Sequence, residues 1–168
     1  MDHSIVIFVT TKLLTYKTFI ILPFLIISGL TCRSCMESNT EILEKVNLYL
    51  ANEFDSKLDS VRFLTIIPEQ GCGTCITAAE NFYNEFSDRN DMMFVFCNIM
   101  SNKILKSKVK INSSNTIFDY DNNFLALMPQ NKRIYPCVLV MEDGRAKAII
   151  WQPTKEYAFM TVRNYFNP

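Results

Sequence analysis

IIPEQGCGTCITAAENF, residues 66–82, decides how this chain is read. A sequence with only four glycines sets two of them, Gly71 and Gly73, on either side of Cys72, with Cys75 following closely. Just upstream, VRFLTII at 61–67 is an almost continuous apolar and β-branched run of strand length, as expected for a strand covered on both faces, and Pro68 ends it. Downstream, Ile76, Ala79, Phe82, Tyr83 and Phe86 fall at helical spacing. The pattern therefore puts Cys72 at a strand-to-helix turn and Cys75 in the first helical turn.

That position has chemical consequences. The first turn of a helix presents unpaired amide groups and the positive end of the helix dipole, and both stabilise a thiolate. The Cys72 thiol is accordingly expected to be more acidic than a free one, and the thiolate is the attacking species in thiol–disulfide exchange. Cys75 lies one helical turn on, close enough to close a small disulfide ring. With no side chains at 71 and 73, the tight turn carries no Cβ strain, and the backbone of another polypeptide can approach Cys72. We read Cys72 as the attacking sulfur and Cys75 as the one that resolves the mixed disulfide.

Working outward, residues 37–58 place Ile42, Val46, Leu50 and Phe54 on one helix face, with Asn39 or Thr40 available to cap the start. MMFVFCNI at 92–99 reads as a second buried strand, and SNKILKSKVKI at 101–111 as a short helix with a solvated, lysine-rich outer face. An irregular stretch rich in Asn, Ser and Asp follows. In IYPCVLVMEDGRAKAIIWQ, 134–152, two apolar runs are joined by Glu142, Asp143 and Gly144, and the Asp-Gly pair is a strong hairpin signal. Residues 154–166 close the chain as an amphipathic helix with Pro153 near its start. No internal repeat or low-complexity tract is visible.

Composition narrows the chemistry. The 168 residues are 49% hydrophobic and 12% aromatic, enough for one packed domain with a short appendage and against intrinsic disorder. Seventeen basic and 17 acidic residues leave no net charge, and no basic block suggests nucleic acid. The sole histidine is His3. If the N-terminus is removed or serves as an anchor, the folded part has no imidazole, which excludes histidine-dependent hydrolases and Cys2His2 zinc sites.

Residues 19–30, FIILPFLIISGL, are free of charge but short of the roughly 20 residues that span a bilayer, and they suit the apolar region of a secretory signal. Lys12 and Lys17 separate them from the earlier apolar patch at 5–9. Cys32 directly after this segment resembles a bacterial lipoprotein signal, in which that cysteine is lipidated and becomes the mature N-terminus. The alternative is an uncleaved membrane anchor. Both place the remainder in an extracytoplasmic space, and the domain plan is a signal or anchor at 1–31, an N-terminal helical segment at 32–57 and one further domain at 58–168.

From about residue 58 to 166 the chain resembles the thioredoxin superfamily. The strand ending shortly before a Cys-x-x-Cys that opens a helix is one mark of it; Tyr135-Pro136-Cys137-Val138-Leu139-Val140, opening the strand opposite that motif, is the other. The long interval between Cys75 and Pro136, the Asp-Gly turn and the N-terminal anchor are closer to the TlpA-like, membrane-tethered redoxins. The resemblance implies an α/β fold with a central mixed β-sheet flanked by helices and a cis bond before Pro136. It also implies Cys72 as nucleophile, Cys75 as resolving cysteine, and Tyr135 with Pro136 as the loop that holds substrate, beside Gly71 and Gly73.

The chain departs from the family pattern where a buried acid would stand: Ile66 occupies that place in the first core strand, and Ala78 stands where tethered redoxins often place a glutamate. The alternatives are a Cys72–Cys75 pair that is only structural and a zinc site from Cys32, Cys35, Cys72 and Cys75; against the latter, the gap 36–71 far exceeds the roughly 15–20 residues between paired zinc knuckles. Cys97, Cys137 and Trp151 read as core residues. The expectation is thus an envelope-anchored thiol–disulfide oxidoreductase facing the periplasm or the exterior. It needs no metal or organic cofactor, acts on protein or peptide cysteines, and is recharged by a membrane redox partner. Its rival is a non-catalytic accessory lipoprotein of the same fold.

Overall fold

A computed structural model describes residues 38–153 and 158–167. The expected signal or anchor, Cys32, Cys35 and the start of the last helix lie outside the described residues. Helix α1 (Asn39–Glu53) is followed by a 3-10 turn (Asp55–Leu58), β1 (Phe63–Pro68), α2 (Gly73–Phe86), β2 (Met92–Cys97) and α3 (Asn102–Lys108). The chain continues through β3 (Thr116–Asp119), α4 (Asn123–Leu127), β4 (Cys137–Glu142), β5 (Arg145–Trp151) and α5 (Ala158–Phe166). Among the described residues the protein is an α/β structure with one five-stranded mixed sheet in the order β3-β2-β1-β4-β5. β1 runs parallel to β2 and β2 to β3, whereas β4 is antiparallel to both β1 and β5.

β1 lies at the centre, with all of its residues buried, which explains its nearly continuous apolar sequence, broken only by Thr65. Because strand side chains alternate, Leu64 and Ile66 face one layer, while Phe63 and Ile67 face the other. On the first face α1 lays down Ile42, Val46 and Leu50, and α4 adds Phe124. Each such side chain contributes about 1.5–3 kcal/mol by leaving water. On the second face Phe82, Tyr83 and Phe86 of α2 meet Phe159 and Val162 of α5 over Phe94 and Phe96. The Phe82 and Phe159 rings stack at 4.4 Å.

Most expected elements are present with shifted ends. α1 is capped by Ser38, one residue before the expected positions, and its hydroxyl oxygen accepts the Glu41 N–H at 3.3 Å. The expected helix at 101–111 covers only Asn102–Lys108, capped by Ser101. The stretch expected to be irregular holds β3 and α4. β3 is short and sits at the sheet edge, where the Phe94 N–H is taken by Asn115 O at 2.8 Å. α4 begins where the buried Asp119 carboxylate accepts the N–H groups of Asn123 and Phe124 at 3.0 and 2.8 Å. No helix among the described residues is long and apolar enough to cross a membrane.

Candidate functional site

The cysteines sit where the central strand hands over to a helix, and the loop between is fastened on two sides. On one side the Glu69 N–H donates to Cys97 O at 2.9 Å, and the Gln70 carboxamide donates to Asn98 O at 3.3 Å. The Glu69 carboxylate also accepts the N–H groups of Met100 and Ser101. On the other side, Gly71 has φ +145°, and a Cβ there would lie 2.5 Å from Ile134 O. The Cys72 N–H donates to that same carbonyl at 3.1 Å. A glycine is therefore required at 71 by the chain's own backbone. Around Gly73, by contrast, nothing lies within 4 Å of where a Cβ would stand, so the space above the turn is open.

Cys72 is the N-cap of α2, and its carbonyl accepts the Ile76 N–H at 2.9 Å. It forms a disulfide with Cys75 across one helical turn, with Cα atoms 5.2 Å apart. The two ends differ in access: Cys72 is half-buried, whereas Cys75 is 2% exposed. The Thr74 hydroxyl lies 3.5 Å from Cys72 Sγ, and no acidic side chain occupies the first turn of α2. The positive end of this helix thus meets sulfur with no carboxylate in that turn to offset it.

Tyr135 and Pro136 follow directly on Ile134, so the turn expected opposite the cysteines reaches them through the Ile134 backbone. Pro136 is buried and its carbonyl accepts the Gln152 N–H at 2.8 Å; Tyr135 is half-buried and donates its N–H to Lys132 O at 3.0 Å. The cis bond implied before Pro136 is not found: the described peptide bonds are all trans, the lower-energy form for X-Pro.

The remaining described cysteines are core thiols, as expected. Cys97 ends β2 beside Pro68, and Cys137 opens β4 beside Ile66; both are free and buried. Burial pushes both thiols far up, and for Cys97 the nearby Asp119 carboxylate adds to the effect. Ile66 is buried in the core, and Glu80 is held by Lys108 at 2.9 Å, so neither offers a carboxylate to Cys75. Among the described residues no group of three or more His, Cys, Asp or Glu is placed to hold a metal.

A trough of about 380 Å³ opens next to Ile134, lined also by Gln70, Asn98, Asn122, Leu125 and Arg133. Asn98 and Asn122 have φ values of 52° and 59°, and the Asn98 N–H donates to Asn122 Oδ1 at 2.5 Å. Asparagine is among the few non-glycine residues that settle in this left-handed region. An asparagine after β2 and another after β3 were the available signals, but nothing in the sequence showed that they meet.

Fold and site together define an α/β protein with a one-turn disulfide at the mouth of a helix, on the edge where its parallel strands end. Comparison with family models, with curated proteins and with solved structures found no match.

Proposed function

We propose that the protein is an extracytoplasmic thiol–disulfide oxidoreductase of thioredoxin-like fold that exchanges disulfides with protein or peptide cysteines through Cys72 and Cys75. The observation that carries this reading is the asymmetry of a single disulfide, with Cys72 reaching solvent at the first turn of α2 and Cys75 sealed beneath. In the reduced protein the amides of that turn favour the Cys72 thiolate. The thiolate attacks one sulfur of a partner disulfide and bonds to it; the other partner sulfur leaves as a thiolate and takes up a proton. Cys75 then gives up its proton and attacks Cys72 Sγ. This restores the Cys72–Cys75 bond and releases the partner as a dithiol, reduced by two electrons. With the oxidised protein and a dithiol partner the same steps run backwards, and the relative potentials set the direction.

Placement in the bacterial envelope, a lipid on Cys32 and recharging by a membrane partner belong to the same proposal and rest on residues 19–32 of the sequence. One observation favours the rival, an accessory binding protein with a structural disulfide: Glu80, engaged by Lys108, does not replace the acid absent at Ile66 and Ala78. Trapping separates the two. A Cys75→Ser variant expressed with its full N-terminus is expected to accumulate mixed disulfides with envelope proteins, and these vanish when Cys72 is also replaced. In that variant Cys72 alkylation should titrate well below the free-thiol value of about 8.5. No trapped partner together with an ordinary titration decides for the accessory protein.

A further inference from the structure

We infer that the lysine-rich face around α3 lies against an anionic bilayer surface, so that the folded domain meets the membrane at a site of its own, apart from the lipid proposed on Cys32. The inference goes beyond the redox reading and does not depend on it.

Charge comes first. From Met92 to Phe118 the chain carries no Asp or Glu but four lysines, Lys103, Lys106, Lys108 and Lys110, although the whole protein has no net charge. Folding gathers these side chains on one surface. Leu105 and Val109 turn inward onto the layer that holds α2, which leaves the outer side of α3 to Lys103, Ile104, Lys106 and Ser107, all exposed. Lys108 is paired with Glu80 at 2.9 Å, while Lys103, Lys106 and Lys110 have no ion pair among the described residues. Nearby acids are largely engaged within the fold: the Glu69 carboxylate accepts the amides of Met100 and Ser101, and Asp119 caps α4 from a buried position. Asp121, next to Tyr120, is exposed, which sets one carboxylate against three ammonium groups.

Charge alone would describe a solvated face. What sets this one apart is the apolar surface among the lysines. Met100, Ile104 and Tyr120 are 73%, 52% and 57% exposed, three of the seven large apolar side chains that stand out among the described residues. The Tyr120 hydroxyl donates to Asn102 Oδ1 at 3.1 Å, which ties the tyrosine to the first turn of α3, and its ring stacks on Phe118 at 6.0 Å. Single exposed apolar residues are ordinary, whereas a group of them rimmed by polar side chains marks a contact surface. A bilayer interface satisfies both halves of the pattern. Ammonium groups on long stems reach lipid phosphates while the Met100 and Ile104 side chains enter the glycerol layer, and a tyrosine suits the headgroup level. A second copy of the chain on this face would set lysine against lysine, and an acidic polypeptide would answer the charge without covering the apolar tips.

The test compares lysines within one molecule. The full chain is bound to vesicles of phosphatidylcholine alone or with about one-third phosphatidylglycerol, and acetylation of each lysine by an N-hydroxysuccinimide ester is read by mass spectrometry. Lys45, exposed on α1 across the sheet, serves as the reference, so attachment through the N-terminus does not enter the comparison. On anionic vesicles Lys103, Lys106 and Lys110 are expected to be labelled about fivefold more slowly relative to Lys45, with no such protection on neutral vesicles or in about 0.5 M sodium chloride. A Met100→Ser, Ile104→Ser variant keeps every charge and should lose most of the protection. Equal labelling on both vesicle types, or protection that the variant retains in full, overturns the bilayer site. Protection by soluble polyglutamate but not by anionic vesicles overturns it in favour of an acidic polypeptide. Neither result bears on Cys72 and Cys75.

Discussion

Gly71 and Gly73 flank the same sulfur but answer to different surroundings. A methyl group at 71 would run into the Ile134 backbone, and φ +145° is hostile to any L side chain, so Gly71→Ala should lose about 2–4 kcal/mol of stability in urea denaturation. Gly73→Ala meets open space and should be neutral or slightly stabilising, within about 1 kcal/mol. The sequence displayed the pair of glycines plainly, but not that the first serves an approach within the chain itself; that contact joins residues far apart along it. Cys97 and Cys137 give a second prediction at this scale. Their folded pKa values lie above those of the unfolded chain, so the stability they contribute is complete below the unfolded value of about 8.5 and declines as pH rises beyond it. Each thiol should add about 1.4 kcal/mol of loss per pH unit there, and a Cys97→Ala, Cys137→Ala protein should show a correspondingly flatter alkaline limb.

Among the elements, those with strong patterns were legible and those assembled by long-range contacts were not. The continuous apolar runs of β1 and β2, the Asp-Gly turn of the hairpin and the apolar stripes of α1 and α2 are visible in the sequence alone. β3 and α4 are short and rich in Asn and Asp; β3 is held through the Phe94 amide of β2, and α4 starts on the Asp119 carboxylate, which caps amides four and five residues further on. The hold of α1 on β5 has the same character. Asn47 donates to Ala146 O at 3.0 Å and accepts the Ala146 N–H at 2.7 Å, closing both backbone groups next to the irregularity between Val140 and Met141. Asn47→Ala strands that pair in a half-buried setting and should cost about 1–3 kcal/mol, read by thermal or denaturant unfolding, with fastest hydrogen exchange appearing at Ala146.

For the molecule as a whole, the sheet keeps apolar layers on both faces, and the disulfide closes only a four-residue ring, Cys72 to Cys75. Chain entropy for so small a ring amounts to about 2 kcal/mol, so the reduced protein should remain folded, with a denaturation midpoint that shifts only modestly in dithiothreitol. A collapse on reduction would mean that the bond is structural, favouring the accessory reading. The cysteines were legible because one helical turn joins them; the trough was not, because its walls come from separate loops brought together only by the sheet. That geometry has an evolutionary corollary. The chain departs from the sheet after β3 at Asp119 and rejoins it at Cys137, and both points lie on the rim that holds the sulfurs. Surface residues in the intervening loops can be exchanged or lengthened without moving β1 or the helix it feeds. Descendants of this chain are free to vary that rim while the disulfide turn stays unchanged.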